Sequence, residues 1–173
     1  MVRPYSLLVL DTSVFVQAHR NYYSLDICPG FWRVLSHFTQ SGDLLSIDRV
    51  RKEIFEPDEP DELMEWANQA PSGLFVSTGE QSVVDAFSQM QTWVYRNTQF
   101  SLEAKEEFAR VADGWVVAYA KAHDAVLVTQ EVFDENVKKR VPLPNVCKQF
   151  GVPYLGTFEM LRQLGAKFGW QHL

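Results

Sequence analysis

Two aspartates stand where a carboxylate is either costly or useful. Asp113 precedes residues 114–120, which are apolar nearly all round a helix and therefore indicate a buried element. A lone carboxylate there is costly unless it is paired or binds a metal ion. Asp11 directly follows the apolar run 7–10, at the end of a predicted strand. An isolated aspartate at such a strand end is equally typical of a helix N-cap, so this position alone leaves both interpretations open.

Two glutamates complete a candidate set of four acids. Glu131 follows the apolar run 125–129, whose last residue, Thr129, is a second candidate ligand or orienting group. By itself Glu131 is equally consistent with a turn acid or with a cap on the following helix. Glu53 lies on a short predicted helix, and alone it is typical of a surface acid.

The charges of these four residues determine the chemistry that they can support together. Carboxylates held close to one another repel unless cations neutralise them or some of them are protonated. Oxygen ligands without histidine or cysteine favour Mg²⁺ or Mn²⁺. Such ions activate water and stabilise oxyanions, so the expected reaction is phosphodiester hydrolysis. Each acid comes from a different element, and spacing alone does not show that they converge.

The elements that must position these acids alternate between strand and helix. Continuous apolarity predicts a strand that is covered on both faces at 7–10. Further short strands are predicted at 44–47, 73–77, 125–129 and 152–155, and the proline in the last of them suits a strand start or an edge. Amphipathic patterns predict helices at 29–40, 49–56, 61–69, 80–96 and 157–164, and a long helical segment that opens at Ser101. This alternation predicts an α/β fold with a mainly parallel sheet. No linker or repeat divides the chain, so we expect a single domain over residues 1–173.

Two local expectations concern the surroundings of the acids. An apolar stripe at helical spacing runs from Phe108 to Ala122 and places Asp113 on the opposite face of one continuous helix. Asp48 precedes the helix that carries Glu53, and an N-cap is the better explanation for it.

The amino-acid composition excludes several classes of protein. The 173 residues are 46% hydrophobic and 22% charged, which is typical of a globular chain. The net charge of −6 disfavours a broad basic surface for coating nucleic acid, but it leaves room for a nucleic-acid enzyme with a local basic rim. Cys28 and Cys147 form no CxxC motif, so neither a zinc site nor a disulfide is expected. No apolar stretch approaches the roughly 20 residues of a membrane span, and we expect a cytoplasmic protein.

Four short motifs, in this order, resemble the PIN-domain ribonuclease family, which includes the toxins of VapBC-type systems. The motifs are Val9-Leu10-Asp11-Thr12-Ser13, Lys52-Glu53-Ile54, the block 112–120 around Asp113, and the block 125–131 that ends at Glu131. The interval of 18 residues from Asp113 to Glu131 matches the usual gap between the last two acids of that family. The resemblance covers almost the whole chain.

The resemblance implies a three-layer α/β/α fold with a central, mainly parallel sheet of four to five strands. It also implies an endoribonuclease site with Mg²⁺ or Mn²⁺, in which Asp11, Glu53, Asp113 and Glu131 are the catalytic and metal-binding residues. Glu131 stands where aspartate is commoner in the family. The implied partners are an RNA substrate, a small antitoxin protein and a second copy of the chain.

Substrate contacts are expected from three further residues. Ser13 matches the usual hydroxyl near the site, and Thr129 lies at the end of the fourth predicted strand. Arg20, beside Tyr22 and Tyr23, can supply a phosphate contact and a stacking surface, although packing explains these side chains equally well. The run 138–140 is the only triple basic run and is a further candidate for phosphate contact.

Two other function classes fit parts of the pattern. A phosphatase of the haloacid-dehalogenase type also begins with an aspartate after a strand, but it needs a second aspartate two residues on, where this chain has Ser13. A catalytically inactive PIN-like interaction or scaffold module is the main alternative. The complete set of four acids argues against it, because inactive members typically lose some of them.

Overall fold

The computed structural model describes residues 6–169, so the two ends of the expected 1–173 domain lie outside the described residues. All five predicted strands are present, most of them shorter than predicted. They are β1 (Leu8–Leu10), β2 (Leu44–Ile47), β3 (Phe75–Val76), β4 (Val126–Val128) and β5 (Tyr154–Leu155). They form one sheet in the order β3-β2-β1-β4-β5, and every pairing is parallel. The predicted α/β class and the parallel sheet are confirmed.

Helices connect the strands in the expected alternation. They are α1 (Thr12–Gln17), followed by a π-helical turn (Ala18–Tyr22), then α2 (Pro29–Gln40), α3 (Asp48–Ile54), α4 (Glu62–Gln69), α5 (Gln81–Arg96), α6 (Leu102–Arg110), α7 (Asp113–Ala122), α8 (Leu143–Phe150) and α9 (Thr157–Gln163). Helix α7 contacts α5, α6 and α8, and α3 contacts α1 and α4. Among residues 6–169, no helix is long and apolar enough to cross a membrane.

The centre of the sheet is β1, whose three residues are all buried. Val9 pairs with Leu45 of β2 and with Leu127 of β4. Helix α7 packs on these central strands, and its residues 116–120 are all buried, as the nearly uniform apolarity predicts. The carboxyl ends of β1 and β4 therefore lie next to the first turn of α7.

The prediction of one helix through Asp113 is wrong. The chain leaves helical geometry at Val111, whose backbone is extended (φ −88°, ψ 173°), and α7 starts afresh at Asp113. The break lets the Ala112 N–H donate to a carboxylate oxygen of Glu53 at 2.7 Å, instead of to a carbonyl within the helix. Asp113 is thus a first-turn residue at a helix start and does not lie on the far face of a long helix.

The N-cap interpretation of Asp48 is also wrong. Ile47 occupies the cap position, and Asp48 is the first residue of α3. Its carboxylate instead accepts hydrogen bonds from the Thr78 hydroxyl at 2.9 Å and from the Thr78 N–H at 3.3 Å. This link fastens the start of α3 to the segment that follows β3.

Gly114 lets α7 approach its neighbours closely. A Cβ atom at this position would lie 2.8 Å from a ring carbon of Phe87 and 2.9 Å from one of Phe108. We expect Gly114→Ala to lower the free energy of unfolding by about 1–3 kcal/mol, because overpacking outweighs the gain of about 1 kcal/mol in helix propensity. Urea unfolding monitored by circular dichroism measures the change. Gly169→Ala is the control, since no atom of residues 6–169 lies within 4 Å of the added Cβ; equal stability of both variants would contradict the packing argument.

Candidate active site

Asp11 lies at the carboxyl end of β1 and is the N-cap of α1, which is one of the two interpretations of this position. Its Oδ1 accepts the Val14 N–H at 3.1 Å, which is the cap contact. The Ser13 hydroxyl donates to Oδ1 at 2.7 Å, and the Thr129 hydroxyl donates to Oδ2 at 2.6 Å. The residue is 3% exposed. Three donors therefore fix the orientation of a buried carboxylate.

The electrostatic environment of Asp11 disfavours its charge. Burial raises the pKa of the carboxyl to about 6, against the opposing effect of hydrogen bonds from Thr129, Ser13 and the Val14 N–H. The negative charge of Glu131 acts in the same direction as burial and is the smallest of the contributions to this pKa. Three charge-stabilising donors do not offset the cost of burial, so the ionised form of Asp11 is a group that a cation would stabilise.

Glu53 is not the free surface acid that its position alone suggests. The side chain is partly buried, and it joins three parts of the chain. One carboxylate oxygen accepts the Ala112 N–H at the break between α6 and α7, and the other accepts the Thr12 hydroxyl at the start of α1. The carboxylate of α3 thus holds together the elements that carry Asp11 and Asp113.

Asp113 is the least compensated of the four acids. Its carboxylate has no hydrogen-bond or ion-pair partner within residues 6–169. Burial raises the pKa of Asp113 well above its usual value, and the charges of Glu131, Asp11, Glu53 and Glu107 raise it further, in that order. The other three predicted acids therefore all lie close enough to act on Asp113, although each belongs to a different element.

Glu131 acts as a helix cap, which is one of the interpretations that its position allows. Its Oε2 accepts the N–H of Leu143, the first residue of α8, at 2.8 Å. Its Oε1 lies 3.9 Å from a guanidinium nitrogen of Arg140. The Glu131 N–H donates at 3.1 Å to the Thr129 hydroxyl, which itself binds Asp11. The Thr129 hydroxyl therefore links the Asp11 carboxylate to the backbone of Glu131.

A cavity of about 300 Å³, which we call the acidic cavity, joins these groups. Its lining includes Glu53, Asp113 and Glu131, together with Glu107, Phe108, Val111 and Arg140. Asp11 is not part of the lining; it is buried and is linked through Thr129 to Glu131, which lines the cavity. Three of the four predicted acids thus share one solvent-accessible space.

Three residues of the site carry roles that the sequence reasoning did not assign. Thr12 holds Glu53, Glu107 lines the acidic cavity, and Arg140 faces Glu131. In the sequence, Thr12 is only one of two hydroxyl residues after Asp11. Glu107 gives no signal there, because an exposed glutamate on an amphipathic helix is ordinary. Arg140 belongs to the basic run 138–140, but its carboxylate partner lies in another segment.

The residues predicted to touch substrate differ in their surroundings, since two of them contact Asp11 and the third is exposed. Ser13 and Thr129 donate to Asp11, so both orient that carboxylate. Arg20 is exposed in the π-helical turn and has no hydrogen-bond or ion-pair partner among the described residues. Tyr23 stacks on Phe31, with ring centroids 4.6 Å apart, and is therefore a packing residue. Tyr22 remains 56% exposed.

The donor chemistry of the site fits a hard divalent cation. The converging groups are carboxylate and hydroxyl oxygens, and repulsion among the acids is what raises the pKa of Asp113 beyond the effect of burial. No three histidine, cysteine or acidic side chains within residues 6–169 form a ready coordination group. Cys28, which is partly buried, and Cys147, which is buried, are both free.

The comparison of the sequence with protein-family models assigns the chain to a family. A family model described as a domain of unknown function, DUF4411, matches residues 8–168. The chain belongs to the DUF4411 family. The matched region includes all four acids and the whole of the sheet. No curated protein matches this DUF4411 chain.

The comparison with solved structures supports the architecture. One chain of the crystal structure of VapBC2 from Rickettsia felis, bound to a DNA fragment from their promoter, superposes with a TM-score of 0.53. The match covers 87% of the DUF4411 chain and 98% of the other, at 11% sequence identity. At this identity the similarity concerns the fold, and it supports the PIN-like architecture that the motifs indicate.

Proposed function

We propose that this protein is a Mg²⁺- or Mn²⁺-dependent endoribonuclease that hydrolyses RNA phosphodiester bonds, as the toxin of a toxin–antitoxin pair. The observation that carries the proposal is the state of Asp113. Its carboxylate lacks a partner among the described residues, shares a cavity with Glu53 and Glu131, and is repelled by four other acids. A fold maintains such an arrangement at a cost in stability, which is typical of a functional site.

The side chains divide into those that would hold the ion and those that orient them. Asp11, Glu53, Asp113 and Glu131 would hold Mg²⁺ or Mn²⁺, which when bound supplies water activation and stabilisation of the leaving oxyanion. Ser13 and Thr129 hold Asp11, and Thr12 holds Glu53. We also propose phosphate contacts from Arg140, which lines the acidic cavity opposite Glu131, and from the exposed Arg20.

The proposed partners follow from the similarity in fold. The R. felis structure is described as VapBC2 bound to a DNA fragment from their promoter. We extend this to a small antitoxin protein that binds the present chain, and to a homodimer of the chain itself. We also propose that the protein acts in the cytoplasm, where its RNA substrate lies.

The proposed activity is tested with circular single-stranded RNA, because only an internal cut linearises a circle. We expect the purified protein to linearise the circle in Mg²⁺ or Mn²⁺ and to leave it intact in EDTA. A DNA circle of the same sequence tests whether the enzyme prefers RNA. Asp113→Asn protein, prepared identically, excludes a contaminating nuclease.

Two results would contradict the proposal. One is a folded protein that leaves single-stranded and structured RNA intact in both metals, which would favour the inactive interaction module. The other is equal cleavage by the wild type and by Asp113→Asn.

A further inference from the structure

A second, smaller cavity lies directly beside the acidic cavity and has the opposite character. Its volume is about 70 Å³, and it shares Glu53 and Val111 with the acidic cavity as a common wall. We call it the basic pocket after its three cationic residues, Arg49, Lys52 and Arg110. Arg49 and Lys52 lie three positions apart on α3 and so share a helix face, and Arg110 is the last residue of α6.

Arg49 is held in a fixed orientation. Its guanidinium carbon lies 3.8 Å from the centroid of the Trp115 ring, and its Nε donates to the Thr78 hydroxyl at 3.2 Å. Trp115 is stacked in turn on Phe87, with ring centroids 3.8 Å apart. The two terminal nitrogens of Arg49 have no partner within residues 6–169. A planar guanidinium held in this way is ready to donate two hydrogen bonds to an anion at little entropic cost.

The other two cations are also uncommitted. Lys52 and Arg110 are exposed, and neither has a hydrogen bond or an ion pair to any residue from 6 to 169. Two carboxylates line the same pocket. Both oxygens of Glu53 accept hydrogen bonds from Thr12 and Ala112, and Glu56 is exposed to solvent, which screens its charge. Within residues 6–169, the hydrogen-bond donors of the pocket that lack a partner therefore all belong to cationic side chains.

We propose that the basic pocket binds a backbone phosphate of the RNA next to the phosphate that is cleaved in the acidic cavity; this inference rests on the proposed function. An acidic cavity repels a polyanion, so the substrate needs positive charge beside the point of cleavage. Arginine and lysine supply most phosphate contacts in nucleic-acid complexes, and such contacts set the register of the strand. The common wall at Glu53 and Val111 places the two cavities side by side.

The test measures RNA binding separately from cleavage. Fluorescence anisotropy of a fluorescein-labelled single-stranded RNA is recorded in EDTA at several salt concentrations, with the full chain. We expect Arg49→Ala and Arg110→Ala each to weaken binding about tenfold. The slope of log affinity against log salt should fall by about 0.7 for each phosphate of the single strand that a variant no longer neutralises.

Matched variants separate a phosphate contact from a change in fold. Arg49→Lys keeps the charge but loses the planar stacking on Trp115, so its affinity should lie between those of the wild type and Arg49→Ala. Arg33→Ala removes an equally exposed arginine from α2, outside both cavities, and should bind like the wild type. If Arg49→Ala unfolds, Arg110→Ala carries the test, because the Arg110 side chain has no polar partner in the described part of the chain.

The outcomes distinguish this inference from the proposed activity. Weaker binding by Arg49→Ala and Arg110→Ala, in a protein that cleaves no RNA in either metal, would support the basic pocket and contradict the nuclease. Cleavage by the wild type together with unchanged affinity and unchanged salt slope in both variants would overturn the inference and leave the nuclease standing. A wild-type protein that does not bind RNA at low salt would also overturn the inference.

Discussion

Replacing Asp113 with asparagine is expected to reduce RNA cleavage strongly and, in the same variant, to raise the melting temperature. The change removes a charge that burial and four other acids disfavour, while it keeps the shape of the side chain. Cleavage should fall by about 10²–10³-fold, the usual cost of removing one group that organises charge in a transition state. An acid in the first turn of a helix gains only about 0.3–1 kcal/mol from the helix dipole, less than the roughly 1.4 kcal/mol that one unit of pKa elevation represents.

The stability gain of Asp113→Asn should depend on pH in a defined direction. The pKa of Asp113 is higher in the folded protein than its usual value of 3.8, so the folded state binds more protons between these two values. Wild-type stability therefore falls as pH rises through that window, and the cost is fully present above the folded pKa. The variant should melt at the wild-type temperature below about pH 3.8 and above it at neutral pH, by about 2–4 °C per kcal/mol at this chain length.

Melting curves from pH 3 to 8, in EDTA, measure this difference. Asp58→Asn is the control, because Asp58 is an exposed acid of the loop before α4 and should change neither melting nor cleavage. Added Mg²⁺ should raise the melting temperature of the wild type more than that of Asp113→Asn, since only the wild type keeps the full ligand set. A variant that is destabilised at neutral pH but cleaves normally would show that Asp113 is a structural residue.

Asp11 is expected to show two separable roles in a pair of substitutions. Asparagine caps a helix as well as aspartate does, so Asp11→Asn should keep the contact with the Val14 N–H and most of the stability. Asp11→Ala removes the cap and leaves the hydroxyls of Ser13 and Thr129 without their acceptor, at a cost of about 2–4 kcal/mol. Both variants should lose RNA cleavage, because both remove the charge.

Urea unfolding and RNA cleavage, measured on the same preparations, test this pair. The informative variant is Asp11→Asn, whose stability should stay within about 1 kcal/mol of the wild type while its activity is lost. Full activity in Asp11→Asn would reduce Asp11 to a helix cap and would remove it from the proposed ligand set.

Much of the fold follows from local patterns in the sequence. The strands are visible there because β1 and β4 are covered on both faces, which makes them continuously apolar. Helix α2 is predicted correctly at both ends, because its stripe from Phe31 to Phe38 is regular. By contrast, α8 is not predicted. Pro142 and Pro144 at its start resemble a loop, although proline is well tolerated at the first positions of a helix.

The geometry of the site depends on contacts that local patterns do not contain. The stripe from Phe108 to Ala122 continues across two helices, so periodicity does not reveal the break at Val111. The role of Glu53 depends on Thr12 and Ala112, which are 41 and 59 residues away in the chain. The acids themselves can be found from residue type and order, whereas their hydrogen-bond partners and the basic pocket need the tertiary structure.

The central place of β1 in the sheet has a consequence for the synthesis of the protein on the ribosome. Asp11 is made before the hydroxyl that holds it, which belongs to Thr129, 118 residues later. Both β1 and β4 must be available before their pairing can form. At a synthesis rate of about 5–20 residues per second, the nascent chain spends seconds with its first acid exposed and its last acids not yet made. A chain that stalls before β4 is complete therefore carries no assembled site, because β1 still lacks its pairing with β4.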